Sequence, residues 1–356
     1  MQRNKGNKSK NILIARFSAL GDIAMTIPTV YNACRANPDA HFYFLTRKHP
    51  AQIFINRPPN LTVLGIDLNE YDGLGGMLRL AKELRDKYHI DTFVDLHDVL
   101  RTKLLRFFLK LFGVRCSHID KGRAEKRALT RNSNKVLVQL KPTPQRYEET
   151  FGRAGVKLSD AFQSIFIDSK GDPAQFSSVS EPHRDGERWI AIAPFAKHPG
   201  KIYPLEQMAK VVKQLAARPD TRIFIFGFGP EEEAGIERLA DGAPNVVNMA
   251  TANLGIGAEL SLLSHCDVML SMDSANMHLA SLVGLRTVSI WGATHPYTGF
   301  LGWKQDTADT VQLDMTCRPC SVFGNKPCKR GDYHCLHGIT PQMVLSKLAA
   351  AEKSDK

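Results

Sequence analysis

The hexapeptide DSANMH, residues 273–278, stands between an apolar run, DVMLSM, and a helical stretch, ANMHLASLV. A buried strand that runs into an acid and a hydroxyl admits two chemistries. In one, Asp273 or Ser274 caps the helix by accepting from a backbone N–H of its first turn. In the other, those amides and the helix dipole hold an anion such as a phosphate. Three more polar motifs come directly after apolar runs. FSALGD, residues 17–22, offers Gly21 for a tight turn and Asp22 at a helix start, where it serves as an N-cap or as a general base. APFAKHPGKIYP carries Lys197, His198 and Lys201 between a strand and a helix, where a cation can neutralise a phosphate. GFGPEEE, residues 227–233, is half a glycine fingerprint followed by glutamates. These acids complement a helix dipole, or one of them binds ribose hydroxyls. A helix N-terminus together with Lys201 is a diphosphate site in physical terms. The chain has no GxxxxGKS, and no paired acidic cluster points to magnesium.

The elements that must place these motifs follow from periodicity. NILIARF, HFYFLT, LTVLGI and DTFVDL read as strands. DIAMTIPTVYNACRA, MLRLAKELRDKYH and VLRTKLLRFFLKLFG have helical spacing. The pattern restarts with the strands WIAIAP, RIFIFGFG, VVNMA, DVMLSM and TVSIWG, again separated by helices. Such alternation predicts parallel sheets with right-handed crossovers, an α/β chain of two doubly wound domains. Residues 169–187 are polar, rich in Ser, Pro and Gly, and read as a linker. The plan is a basic disordered tail over 1–10, a domain over 11–168, the linker, a second domain over 188–338 and a final helix within 339–356. Ligands of such folds sit at the carboxyl ends of strands, where every motif above falls.

With 356 residues, 43% of them apolar, two ordinary domains are affordable and global disorder is excluded. No apolar run reaches the ~18 residues of a membrane span. The start, MQRNKGNKSK, is basic, but Arg16 and Asp22 interrupt the apolar stretch after it, so no signal-peptide core forms and a cytoplasmic location is expected. Most of the seven cysteines are then thiols. The net charge of +11 is concentrated: residues 101–131 hold ten Lys and Arg against two acids. That patch suits nucleic acid, an anionic membrane or a phosphorylated substrate, or is simply a solvated helix face. Aromatic residues are not interleaved with it as base-stacking platforms require, which weighs against a non-catalytic nucleic-acid binder.

Taken together, FSALGDIAMTIP, KIYPLEQ, GFGPEEE and DSANMHLAS resemble the lipopolysaccharide heptosyltransferases, glycosyltransferase family 9, in the right order over nearly the whole chain. The resemblance implies a GT-B architecture, two Rossmann-like domains facing each other across a cleft, with the acceptor on the first and a nucleotide sugar on the second. It implies an inverting transfer of heptose from ADP-heptose to a lipopolysaccharide inner-core or lipid-linked acceptor, with no cofactor or catalytic metal required. By position, Asp22 matches the catalytic base and Lys201 the lysine at the diphosphate and sugar. Glu231 matches the ribose-binding glutamate, and Leu254 falls where a Met often packs on adenine. Asp273 matches the aspartate near the donor sugar. Ser274 and Ala275 match the residues whose amides hold the phosphates, and His278 is the motif's histidine. ATHPYTGFLGW lacks the family's more usual GPT turn, so a UDP- or GDP-sugar remains the alternative donor.

An anionic, membrane-embedded acceptor gives the basic patch a use. Arg101, Arg123, Lys126 and Arg127 are the acceptor-binding candidates, at the rim of the first domain and against the cytoplasmic face of the inner membrane. In VLRTKLLRFFLKLFG, Leu104, Leu105, Phe108, Leu111 and Phe112 share a face that reads as core-facing. Cys317, Cys320, Cys328 and Cys335, spaced C-x2-C-x7-C-x6-C, are a structural zinc candidate with His334 and His337 nearby. The last helix, TPQMVLSKLAAAEK, is expected to return to the first domain, as it often does in GT-B folds.

Overall fold

The computed structural model describes residues 10–167 and 169–353; the expected basic tail, apart from Lys10, lies outside them. The chain divides into two compact units. The first contains the residues up to Lys121 together with Thr143–Ile165. The second contains Gly122–Pro142 and the residues from Phe166 onward.

In the first unit β1 (Asn11–Ala15), β2 (His41–Arg47), β3 (Leu61–Ile66), β4 (Thr92–Asp95) and β5 (Arg115–His118) form a parallel sheet in the order β3-β2-β1-β4-β5. Ile14 of β1 aligns with Phe44 on one side and Val94 on the other. β1 is buried along nearly its whole length, as a central strand covered on both faces must be. The expected helix after it is divided into Leu20–Ala24 and Ile27–Ala36. Pro28 falls in the first turn of the second piece, where its missing N–H costs nothing.

The second unit holds β6 (Arg188–Ala193), β7 (Thr221–Ile225), β8 (Val246–Asn248), β9 (Val268–Met272), β10 (Thr287–Ile290) and β11 (Thr310–Val311). Its parallel sheet runs β11-β10-β9-β6-β7-β8. Strand order therefore reverses direction between β1 and β4 in one sheet and between β6 and β9 in the other. These are the switch points at which doubly wound sheets open a crevice at their carboxyl edge.

Three expectations are corrected. Residues 122–142 cluster with the second unit, not with the first domain proposed over 11–168. The supposed linker, 169–187, is packed rather than loose. It contains the 3-10 turn Pro173–Phe176, Phe176 is fully buried beside Trp189 and His265, and Gly171 N–H donates to Ser264 Oγ at 2.8 Å. Polar composition hid two rings, Phe176 and His183, that pack against Trp189. The final helix, Pro341–Lys353, expected on the first domain, clusters with the second unit. Val344, Leu345, Leu348 and Ala351 complete the apolar core of the second with Ile190, Leu270 and Ile290. No helix among the described residues is long and apolar enough to cross a membrane.

Leu348 is fully buried in that core. Leu348→Ala should cost about 2–5 kcal/mol. Hydrogen exchange should quicken in β9 to β11 and stay unchanged in β1 to β5; the reverse pattern would place the helix on the first unit.

Candidate active site

The polar turn after β9 is explained by what its side chains do not do. Ser274 is the N-cap of the helix Ala275–Leu282, yet it makes no side-chain cap bond. Its Oγ lies 3.3 Å from Ser271 Oγ instead. Asp273, 4% exposed, is turned the other way. Its Oδ2 is 2.8 Å from Lys201 Nζ and accepts from Thr294 Oγ1 at 2.8 Å. Neither side chain is seen capping the helix, so its first turn has no side-chain cap and its N-terminus can receive an anion. Lys201 closes the 3-10 turn Pro199–Lys201 in the loop after β6, so the pair bridges the switch point between β6 and β9. Ala293 N–H donates to Gly200 O at 2.8 Å and binds that loop to the segment after β10.

The other donor-side candidates continue along the same sheet edge. After β7, Gly229 adopts φ +86° at the N-cap of the helix Pro230–Ala240. Glu232 Oε2 accepts from Phe228 N–H at 2.8 Å, so the structural task belongs to Glu232, while Glu231 is exposed at the helix start. Leu254 is half-buried in the loop between Met249–Ala252 and Ile256–Leu263, beyond β8. His278 is 6% exposed inside the helix Ala275–Leu282. Sequence reasoning missed Thr294, which steadies the Asp273 carboxylate.

In the first unit Asp22 is the third residue of Leu20–Ala24, not its N-cap. Its Oδ2 accepts from Ala19 N–H at 3.1 Å and from Arg16 Nη2 at 2.9 Å, and the side chain keeps 27% exposure. Capping and display to solvent thus coexist. Arg16 is the second missed residue. It is 7% exposed, donates to Leu96 O and stacks 5.8 Å from the Tyr147 ring, whose hydroxyl donates to Asp22 O. A charged residue ending an apolar strand was the available signal.

The third missed residue is His97, after β4 and across the first switch point. Phe17 N–H donates to His97 Nδ1 at 3.4 Å, which puts the ring proton on Nε2, 3.5 Å from Ser18 Oγ. Beside it Asp95 is fully buried: Oδ1 accepts from the N–H groups of His97 and Asp98, and Oδ2 pairs with Arg106 at 2.7 Å. The motif DLHD following a strand was the sequence signal for this turn.

The basic candidates separate. Arg101 belongs to the first unit and donates to Leu68 O and Asp72 Oδ1, tying two helical turns together. Arg123, Lys126 and Arg127 lie on the helix Arg123–Thr130, which clusters with the second unit rather than with the first domain. Lys126 stands 4.4 Å over the Phe300 ring. In the helix Leu100–Leu111, Leu105 and Leu109 are buried, whereas Leu111, expected inward, is 67% exposed.

Cys317, Cys320, Cys328 and Cys335 line one cavity of about 130 Å³ with Lys135, Arg318 and Arg330. No group of three or more His, Cys, Asp or Glu among the described residues is arranged to hold a metal ion. Burial pushes the Cys335 thiol up to about 11 and raises that of Cys320, while Cys317 is exposed. Spacing alone carried no information about these different depths.

Burial, with Arg16 and Lys121 nearby, holds His97 down at about 3 against an ordinary 6.5. The unfolded chain therefore takes up a proton below about pH 6.5 that the folded chain refuses until about pH 3. Stability is fully present above that window and is lost as pH falls through it, by on the order of 4 kcal/mol at pH 3. His97→Asn, which keeps an acceptor for Phe17 N–H, should flatten this part of the stability curve. An unchanged slope in denaturant titrations would show that His97 is protonated in the folded protein.

A family model described as glycosyltransferase family 9 (heptosyltransferase) matches residues 77–330. Lipooligosaccharide heptosyltransferase 2 of Haemophilus influenzae is 26% identical over 290 residues, covering 77% of this chain and 80% of that protein. A family 9 glycosyl transferase from Veillonella parvula superposes with TM-score 0.73 at 17% identity, covering 97% of this chain and 98% of that one. The E. coli heptosyltransferase WaaC with ADP gives 0.66 at 17% identity, covering 96% and 99%. These structures share the GT-B class of fold, with two Rossmann-like domains. With well over half of its length matched by the family model, the chain belongs to glycosyltransferase family 9, the heptosyltransferases, and is a glycosyltransferase.

Proposed function

We propose that the protein transfers heptose from ADP-heptose to a lipopolysaccharide inner-core or other lipid-linked acceptor, with inversion at the anomeric carbon. The observation that carries this reading is the helix start at Ser274 and Ala275, left without a side-chain cap because Asp273 is turned to Lys201. A diphosphate there meets amides, a helix dipole and an ammonium, which stabilise a departing ADP as its charge grows. These groups supply the charge stabilisation that a divalent cation otherwise provides, which supports a metal-independent reaction. Glu231 is assigned to the ribose hydroxyls, Leu254 to the adenine, Asp273 to the donor sugar and His278 to bracing the turn. The relative WaaC was solved with ADP, which agrees with adenine as the base.

The acceptor is assigned to the first unit and Asp22 to its hydroxyl. The acceptor oxygen attacks the anomeric carbon, the bond from that carbon to the β-phosphate oxygen breaks, and the hydroxyl proton passes to the Asp22 carboxylate. Arg16, 2.9 Å away, holds the carboxylate in place. Asp22→Asn should lower kcat by about 10²–10⁴-fold with ADP affinity unchanged. Calorimetry with ADP, UDP and GDP, without added metal, tests the donor. Preference for ADP supports ADP-heptose, preference for UDP or GDP overturns the heptose assignment, and binding of none overturns the diphosphate site.

The lipid-linked acceptor implies a peripheral contact at the cytoplasmic face of the inner membrane. In Leu100–Leu111, Leu100, Phe107 and Leu111 are 73%, 56% and 67% exposed, share a face with Lys103 and Lys110, and the helix holds no acid. An apolar stripe flanked by lysines suits an anionic lipid surface. Phe107→Asp with Leu111→Asp should abolish sedimentation with phosphatidylglycerol vesicles and leave ADP binding intact. Loss on charge reversal at Arg123, Lys126 and Arg127 instead would move the contact to the second unit.

A further inference from the structure

The cysteine-rich segment touches the lysine of the donor side. We propose that this segment is a buttress that sets where the Lys201 ammonium stands, with Gly324 as the surface its stem packs on and Arg318 as the lock. The inference rests on the reading of Lys201 as a diphosphate ligand and gives the segment a positioning role in that site.

Gly324 adopts φ +74°, and a Cβ built there would lie 2.7 Å from Lys201 Cγ, 3.3 Å from Cδ and 3.2 Å from Cε. The whole lysine stem therefore runs across the face of this glycine. On the other side of the contact, a Cβ at Gly200 would lie 2.9 Å from Gly324 O. Two neighbouring positions, one beside the lysine and one beneath it, thus leave no room for a methyl group. A lysine side chain carries about 2 kcal/mol of rotamer entropy. A stem confined along a backbone surface has lost that freedom before any ligand arrives, so the ammonium is preorganised.

The buttress is itself tied to the end of β10. Ser321, 1% exposed, accepts from Gly324 N–H at 3.0 Å and from Phe323 N–H at 3.3 Å, while its hydroxyl reaches Asn325 Oδ1 at 2.9 Å. Cys320 and Ser321 N–H both donate to Ala293 O, at 3.1 and 3.3 Å, and Ala293 N–H in turn donates to Gly200 O. Arg318, 3% exposed, donates to the carbonyls of Trp291, Gly292, Leu313 and Thr294 and to Gln312 Oε1. It thereby spans the same strand end whose Thr294 hydroxyl holds Asp273. Both members of the Lys201–Asp273 pair are set by one hydrogen-bonded unit.

Gly331 supplies an internal control, since it shares the left-handed conformation, φ +78°, but a Cβ there meets nothing within 4 Å. Gly324→Ala and Gly331→Ala carry a similar backbone cost, and only the first pushes on Lys201. The first readout is the rate of Lys201 acetylation by acetic anhydride in the unliganded protein, followed by mass spectrometry. Gly324→Ala should change that rate at least threefold relative to Gly331→Ala. The milder Ser321→Ala should move it in the same direction and serves if Gly324→Ala does not fold. Equal rates in the glycine pair, or in Ser321→Ala and the parent, overturn the buttress whatever the ligand of Lys201. The second readout is ADP affinity. Gly324→Ala should weaken it about tenfold in the parent and have no further effect in Lys201→Ala. An undiminished effect in Lys201→Ala also overturns the buttress. If Lys201→Ala binds ADP as the parent does while the acetylation rates differ as expected, the buttress stands and the diphosphate reading of Lys201 fails.

Discussion

A carboxylate that is almost wholly buried has to be neutralised where it stands, and Asp273 is neutralised by Lys201 at 2.8 Å. That requirement fixes much else. The lysine comes from the loop after β6, one of the two neighbours of β9 in the sheet. The loop must then approach the end of β10 closely enough for Ala293 and Gly200 to share a hydrogen bond. The acid, spent on the lysine and on Thr294, is withdrawn from capping its own helix. The salt bridge thus stands beside a helix start that has no side-chain cap and can receive an anion. Removal of either partner would leave the other as an uncompensated buried charge, a cost of about 3–5 kcal/mol.

The first unit solves a related problem with different residues. Its switch point lies between β1 and β4, and charged groups again gather at the strand ends. Arg16 leaves β1 buried and pairs with Asp22, while Asp95 ends β4 buried and pairs with Arg106. The same register that aligns Ala15 with Asp95 places these two pairs beside each other, with His97 between Phe17 and Ser18. Part of the basic run is therefore consumed internally: Arg106 neutralises Asp95 and Asp98 rather than meeting solvent. A charge count along the sequence overstates what the surface offers.

Legibility differed from residue to residue for physical reasons. Lys201, Asp273, Ser274 and Ala275 were legible because each lies directly after a strong apolar run or beside a Pro and Gly turn, and alternation of strand and helix fixes which end of the sheet those positions occupy. Thr294, Arg318 and Gly324 were not. Their importance comes largely from contacts with residues more than 20 positions away, such as Asp273 for Thr294, Trp291 for Arg318 and Lys201 for Gly324, and no local pattern encodes them. Arg16 and His97 were half-visible, as polar residues ending apolar strands, but their partners were not. The cysteine spacing suggested a metal centre; the fold gathers those thiols around one cavity, and the backbone between them packs against Lys201.

By itself the sequence determined the α/β class, the two parallel sheets and the carboxyl-edge position of the four motifs. Those features depend on periodicity and on the handedness of the chain, which are local properties. Tertiary structure alone decided three things. It assigned residues 122–142 and the final helix to the second unit, since apolar side chains carry no address beyond the need to be covered. It also packed the 169–187 segment through Phe176. Finally, it chose between a capped helix and an open one at Asp273, because a carboxylate takes the strongest partner within reach, and only the completed sheet brings Lys201 there.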